Sequence, residues 1–131
     1  MRISTGGPWE EKVGYSRAVS AGPWVLVAGT TSTVDGAVAH VGDAYRQTLT
    51  AFGIALEALE RCGCGAADVV QTRMYVTDMA LLEGAGRAHR ELFGDVRPVN
   101  TTVAVAALAH PDHLVEVEVA AYRETRTETC S

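Results

Sequence analysis

The chain has 131 residues, the size of a single domain spanning 1–131. Hydrophobic residues make up 47% and charged residues 21%, which is ordinary globular usage and excludes intrinsic disorder. The net charge of −5 argues against nucleic acid and anionic membranes as partners. No apolar run reaches the ~18 residues of a membrane span, and residues 1–7 lack the apolar core of a secretory signal. The composition predicts a soluble, cytoplasmic domain with its core at about 13–122 and a polar tail at 123–131.

The cysteines and histidines do not form a recognisable metal site. Cys62 and Cys64 make a C-x-C pair with no second pair to complete a zinc site. His110 and His113 flank a Pro-Asp turn without further ligands nearby in the sequence. We therefore expect no metal and no cofactor, and we expect Cys62 and Cys64 to be small residues at the end of a helix.

The first half of the chain predicts three strands and a helix. Apolar alternation or short apolar runs predict strands at 13–20, 24–28 and 37–41. Asp43 is suited to cap the helix that follows, because its carboxylate can accept from free backbone N–H groups. Apolar residues continue at helical spacing until Gly63 or Gly65, where a left-handed cap is expected.

The second half predicts a strand at 69–77, a helix capped by Asp78 with His89 on its inner face, and strands at 100–108 and 114–122. The complete order is β-β-β-α-β-α-β-β. This order predicts an α+β fold in which both helices cover one face of a sheet.

The other face of that sheet is predicted to be partly polar. In the last strand, valines alternate with Glu116 and Glu118, so the valines face the helices and the carboxylates face away. Arg73 projects onto the same face from the fourth strand. A face that mixes charged, aromatic and small residues is typical of a subunit interface with polar pockets, and a solvated sheet face fits the pattern equally well.

Five segments of the chain are similar to one known family. They are GYSRAV at 14–19, VLVAG at 25–29, DVVQTRMYVTD at 68–78, RPVNTTVAV at 97–105 and VEVEV at 115–119. They resemble the RidA/YjgF family in sequence and in order, over about residues 13–122. The resemblance implies a chorismate-mutase-like α+β fold that assembles into a homotrimeric barrel, with one pocket at each subunit boundary.

The resemblance also implies a chemistry. Deaminating members hydrolyse reactive enamines or imines to ketoacids and ammonia, using an arginine that grips the substrate carboxylate, a glutamate that positions water and a tyrosine that lines the pocket. Carried onto this sequence, the tyrosine is Tyr15 and the glutamate is Glu118, which we expect as the catalytic pair. Glu116 lies on the same face two residues away and is the alternative acid.

The arginine of the family is absent here. Asn100 stands in its place, and an amide cannot form the charged bidentate contact that a guanidinium makes with a carboxylate. The lost contact is worth roughly 1.5–3 kcal/mol. Arg73 and Arg97 are candidate replacements, although a salt bridge for Arg73 and a solvated loop position for Arg97 are equally ordinary outcomes.

The sequence thus predicts an enzyme that acts on an imine, an enamine or a related electrophile by hydrolysis, tautomerisation or cyclisation, and not an ordinary 2-iminoacid deaminase. The remaining candidates for contact with the small-molecule substrate are Thr30, Thr31, Thr102 and His89, of which His89 is also readily explained as a core residue. The alternative is a non-catalytic ligand-binding or regulatory trimer. Ribonuclease action conflicts with the net charge of −5.

Overall fold

The structure is a computed structural model that describes residues 1–124. Most of the predicted tail at 123–131, including Cys130, lies outside the described residues. The strands are β1 (Arg2–Ile3), β2 (Ala18–Ala21), β3 (Trp24–Thr30), β4 (Thr33–Val34), β5 (Ala37–Val38), β6 (Val69–Val76), β7 (Val99–Ala104) and β8 (Val115–Tyr122). The helices are α1 (Pro8–Val13), α2 (Ala44–Arg61) and α3 (Leu82–Phe93), with single 3-10 turns at Ala66–Asp68 and Met79–Leu81.

Six strands form one mixed sheet in the order β1-β2-β3-β8-β6-β7. β6 and β7 are parallel, whereas the other neighbours in this sheet are antiparallel. β4 and β5 form a separate hairpin beyond the end of β3. The central position of β8 matters for function, because this strand carries both candidate glutamates between β3 on one side and β6 on the other.

The core lies between this sheet and the long helices, as the alternation in β8 predicts. Val115, Val117 and Val119 are buried on the helix side. Against them pack Phe52 of α2 and Phe93 of α3, which meet edge to face with ring centroids 5.1 Å apart. Burying each side chain of this size stabilises the fold by about 1.5–3 kcal/mol. The predicted α+β architecture, with α2 and α3 on one face of the sheet, is confirmed.

The N-terminal region differs from the prediction. The strand expected at 13–20 is only Ala18–Ala21, and the chain before it contains β1 and the short helix α1. Gly7 is the N-cap of α1, and Pro8 lies in the first helical turn, where an N–H group would have no helical partner. Gly14 ends the helix with a φ of 88°. The difference is important because α1 forms one wall of the candidate site.

The remaining elements agree with the prediction in type but not in all their bounds. β3 continues two residues beyond the predicted end at 28, whereas the strands predicted at 37–41 and 100–108 end earlier, at Val38 and Ala104. Asp43 caps α2, as predicted, by accepting from the N–H of Arg46 at 2.9 Å. Asp78 caps the 3-10 turn that leads into α3 rather than α3 itself. Cys62 and Cys64 are buried at the end of α2, as the sequence predicts for two small residues at a helix end. None of the helices among residues 1–124 has both the length and the apolar content that crossing a bilayer requires.

Candidate functional site

A cavity of about 880 Å³ opens between α1, the end of β3, the β4–β5 hairpin and the start of β8. Its lining includes four of the residues that the sequence singles out: Tyr15, Thr30, Thr31 and Glu116. They lie together because β3 is a neighbour of both β8 and β2, and Tyr15 lies in the short loop that leads into β2. A volume in this range is that of a small-molecule site.

Glu116 lies directly against the backbone of β3. A Cβ built on Gly29 would lie 2.7 Å from Glu116 Oε2, so only a glycine leaves room for the carboxylate in this position. The register of β3 on β8 shifts between Val27 and Thr30, which marks a β-bulge beside Glu116. Burial raises the pKa of the Glu116 carboxyl, Glu118 adds to the rise, and Arg17 opposes it.

Gly29→Ala is expected to displace the Glu116 carboxylate without unfolding the chain. Gly29 does not have a positive φ, so alanine meets no backbone strain there and its methyl group competes only with the carboxylate for space. The expected result is a loss of ligand binding at the cavity with a melting temperature close to that of the wild type. Gly53→Ala is the control, because a Cβ at that position meets no atom within 4 Å. Equal ligand binding in both variants would contradict the placement of Glu116.

Arg17 holds the polar wall of the cavity in place. Its Nη1 donates to the carbonyl of Gly29 at 2.7 Å and to Thr30 Oγ1 at 2.9 Å, and its Nη2 donates to the hydroxyl of Tyr15 at 3.2 Å. Since the Tyr15 oxygen accepts this bond, its own hydrogen remains available to a ligand. The arginine therefore orients the hydroxyl that sequence reasoning assigns to the substrate.

Glu10 of α1 supports Arg17 from behind, with Oε2 3.7 Å from Nε of the arginine. Glu10 accepts from both the backbone N–H and the hydroxyl of Thr5. Burial raises the pKa of Glu10, but the hydrogen bonds from Thr5 and Ser4 and the charge of Arg17 outweigh burial, and the net pKa is lowered. Sequence reasoning missed both residues. The Gly7-Pro8 pair is a typical helix start and could have indicated that Glu10 lies in a short helix.

Glu118, the acid expected to be catalytic, is not in this cavity. It accepts a hydrogen bond from the hydroxyl of Tyr75 and forms an ion pair with Arg73, with 3.5 Å between Arg73 Nη1 and Glu118 Oε2. All three residues project from β8 and β6 onto the sheet face away from the helices. The hydrogen bond to Glu118 is the main reason why the pKa of Tyr75 is raised. In one chain, the structure thus brings Glu116 to Tyr15, whereas it places Glu118 with Arg73.

Asn100 and Thr102 lie on the edge strand β7 and face a different side of the molecule. The amide of Asn100 donates to Thr72 Oγ1 at 3.1 Å and accepts from Thr102 Oγ1 at 2.9 Å. Thr72 is buried and its Oγ1 lies 2.7 Å from His89 Nε2 of α3. His89 also packs on the rings of Phe52 and Phe93, which matches the core alternative for this residue.

The other candidates lie at the margins of the site. Arg97 is on the loop before β7, where its Nε donates to the carbonyl of Gly94 at 3.3 Å. His113 lines the cavity and its Nε2 lies 3.0 Å from Thr33 Oγ1. Within residues 1–124, no group of three or more His, Cys, Asp or Glu side chains is arranged to hold a metal ion.

His89 and His113 are expected to make folding stability fall in mildly acidic solution. Burial is the main cause that lowers the pKa of each below the ordinary value of 6.5. As the pH falls below 6.5, the unfolded chain takes up protons that the folded chain resists, so the free energy of unfolding decreases. Urea titrations across this window should show a shallower decrease in a His89→Gln/His113→Gln variant. His40→Gln, at an exposed histidine, is the control and should keep the full dependence.

The family model described as Endoribonuclease L-PSP matches residues 9–123, almost the whole of the described chain. The chain belongs to the YjgF/RidA family. A crystal structure of Rv2704 from Mycobacterium tuberculosis, described as a member of the YjgF/YER057c/UK114 family, is 44% identical with a TM-score of 0.84. The match covers 93% of this chain and 98% of that one.

Two further YjgF/RidA comparisons extend over nearly the whole chain. The uncharacterised protein SCO2049 of Streptomyces coelicolor is 45% identical over 122 residues, which are 93% of this chain and 91% of that protein. The crystal structure of PA3499 from Pseudomonas aeruginosa, a protein of unknown function, is 27% identical with a TM-score of 0.79, covering 100% of this chain and 97% of that one. The family and its α+β fold agree with the expectation from the sequence.

Proposed function

We propose that this protein is a small-molecule enzyme that hydrolyses an imine or enamine in the cavity lined by Tyr15 and Glu116. The observation that supports this most is the state of Glu116, a partly buried carboxyl with a raised pKa in the same cavity as the tyrosine hydroxyl that Arg17 orients. A raised pKa makes the Glu116 carboxyl a better proton acceptor than an ordinary glutamate, which favours general acid–base catalysis. Clusters of perturbed acids in a cavity are typical of active sites.

The proposed reaction uses water as the nucleophile. Glu116 accepts a proton from water, the water oxygen adds to the carbon of the C=N bond, and the Tyr15 hydroxyl donates a hydrogen bond to the substrate. The protonated carboxyl returns its proton to the nitrogen, which gives a neutral carbinolamine. The carboxylate then takes the proton of the carbinolamine hydroxyl and passes it to the nitrogen while the C–N bond breaks, so that a carbonyl compound and ammonia leave. Glu116 takes the role that the sequence assigned to Glu118, and Glu118 with Arg73 becomes part of the subunit contact.

We propose that the active form is a homotrimer that buries the open sheet face. Large apolar residues are exposed on that face in the single chain, among them Leu26 and Val103. Asn100 lies on the far edge strand of the sheet, so only a neighbouring subunit could bring it close to Tyr15. An interface of this kind would also cover Glu118 and Arg73.

Leu26→Asp is expected to break the trimer, because it places a charge in an apolar contact between subunits. Sedimentation equilibrium should give three times the chain mass for the wild type and a smaller mass for the variant. Leu82→Asp, at an exposed leucine on the helix side, should remain trimeric. A wild-type protein that sediments as a single chain would contradict the proposed assembly.

The alternative is a trimer that binds the same ligand class without turning it over. The rate of ammonia release from imines generated in solution, compared with a protein-free control, distinguishes the two functions. Faster ammonia release that saturates with substrate supports the enzyme. A ligand that raises the melting temperature, with no rate above the control for any imine, supports binding alone. The family description names an endoribonuclease, but three carboxylates and one arginine in the cavity disfavour a polyanion.

A further inference from the structure

The guanidinium of Arg17 has at most one N–H group, on Nη2, left for a substrate carboxylate. Its Nη atoms donate to Gly29, Thr30 and Tyr15, its Nε faces Glu10, and its side chain is only 11% exposed. A clamp for a carboxylate needs two parallel N–H groups that point into the cavity. Arg17 is therefore a positioning residue for the wall of the cavity and not an anion clamp.

The cavity as a whole carries more negative than positive groups. Glu10, Asp112 and Glu116 are in its lining, and Arg17 is its one arginine or lysine among the residues that the structure describes. An additional carboxylate placed beside Glu116 would be repelled by these negative charges. The charges thus favour a ligand without a carboxylate.

The other candidate cations are engaged outside the cavity. Arg73 is paired with Glu118, and Arg97 donates from Nε to the carbonyl of Gly94. Asn100, where the resemblance leads one to expect an arginine, offers a neutral amide that is already bonded to Thr72 and Thr102. Neither Arg73 nor Arg97, the arginines that the sequence nominated as replacements, lines this cavity in the part of the chain that the structure describes.

Another part of the cavity wall is apolar, and much of this part is open to solvent in the single chain. Trp9 is 55% exposed, Val13 is 69% exposed and Val41 is 61% exposed. Pro8, Val38 and Ile54 complete this part of the lining. A ligand that covers these side chains gains from the hydrophobic effect, at roughly 25 cal/mol for each Å² of apolar surface removed from water.

We infer that the substrate is an imine or enamine that carries no carboxylate and has an apolar body, such as an aryl or alkyl group. This inference rests on the proposed function and names the substrate class of the same site. The products are then an aldehyde or ketone and ammonia, rather than a ketoacid and ammonia. The reaction that supplies such a substrate is the oxidation of an amine, not that of an amino acid.

A matched pair of imines tests the inference. An amine oxidase forms one imine from 2-phenylethylamine, and an amino-acid oxidase forms the other from phenylalanine, so the two differ only by the carboxylate. Semicarbazide traps each imine as a semicarbazone, and the decrease in semicarbazone formed when the protein is added measures how fast the protein hydrolyses that imine. The expected kcat/KM is at least about tenfold higher for the imine without the carboxylate, a factor that corresponds to 1.4 kcal/mol. An equal or higher value for the imino acid would overturn the inference and leave the proposed hydrolysis intact.

A binding measurement separates failure of the inference from failure of the proposed function. Phenylacetamide and phenylacetate differ in charge but hardly in shape, and neither needs to react. The amide is expected to raise the melting temperature of the intact protein, and the carboxylate is not. If neither imine is hydrolysed but this difference is found, the inference about the ligand survives and the proposed hydrolysis fails. Stronger stabilisation by phenylacetate would overturn the inference whatever the kinetics show.

Discussion

Glu116→Gln is expected to lower kcat by roughly 10²–10⁴-fold, the usual contribution of a positioned acid–base group. Glutamine has nearly the same shape as glutamate and fits against Gly29, but it cannot accept a proton from water. The rate of imine hydrolysis with saturating substrate measures the effect. Glu118→Gln is the matched control, since it removes a carboxylate two residues away on the same strand and should change kcat far less.

The same substitution is expected to leave stability unchanged or to increase it. The folded-state pKa of Glu116 is raised, so the folded chain holds this proton more tightly than the unfolded chain does. Stability from this group is therefore lost as the pH rises through the folded pKa, and at neutral pH the ionised carboxyl is a cost to the fold. A large drop in melting temperature for Glu116→Gln would show instead that the carboxylate is structural.

Arg17→Met is expected to destabilise the chain by about 3–5 kcal/mol, because it leaves a buried carboxylate without its cation. The side chain of Glu10 is only 4% exposed, and the carbonyl of Gly29 loses its donor as well. Activity should fall more than the unfolded fraction accounts for, because Tyr15 is no longer oriented. Urea unfolding at neutral pH, with kcat measured well below the unfolding transition, separates the two effects.

Arg46→Met provides the comparison for this prediction. Like Arg17, Arg46 is paired with a carboxylate, that of Asp43, at 3.6 Å, but both side chains of this second pair are exposed. Exposed pairs contribute about 0–1 kcal/mol, so this variant should lose little stability and no activity. Equal losses in the two methionine variants would mean that Arg17 has no special place in the site.

The periodicity of the sequence was enough to predict the α+β fold and the faces of the sheet. In β8, Val115, Val117 and Val119 point into the core because side chains alternate at every residue of a strand. The same alternation cannot distinguish Glu116 from Glu118, which share a face about 7 Å apart along the strand. Only the neighbouring strands distinguish them: the bulge in β3 places Gly29 beneath Glu116, and the register with β6 sets Arg73 opposite Glu118.

The polar support of the site was not predictable from the sequence for a related reason. Glu10 lies in α1 and Arg17 in the loop between α1 and β2, so their contact depends on how that loop turns back along the helix. A helix of six residues gives too little periodicity to be recognised by its apolar pattern. Its start at Gly7 and Pro8 was visible, but its role as a cavity wall depends on tertiary packing.

The titration of Glu116 in the presence of a ligand tests most directly whether a substrate lies against this residue. The side-chain carboxyl carbon can be followed by NMR, with its signal assigned by comparison with Glu116→Gln. Saturating phenylacetamide is predicted to raise the pKa of Glu116 further, because the ligand excludes water from the carboxylate. A ligand that stabilises the protein and leaves the titration of Glu116 unchanged would contradict the assignment of the cavity as the active site.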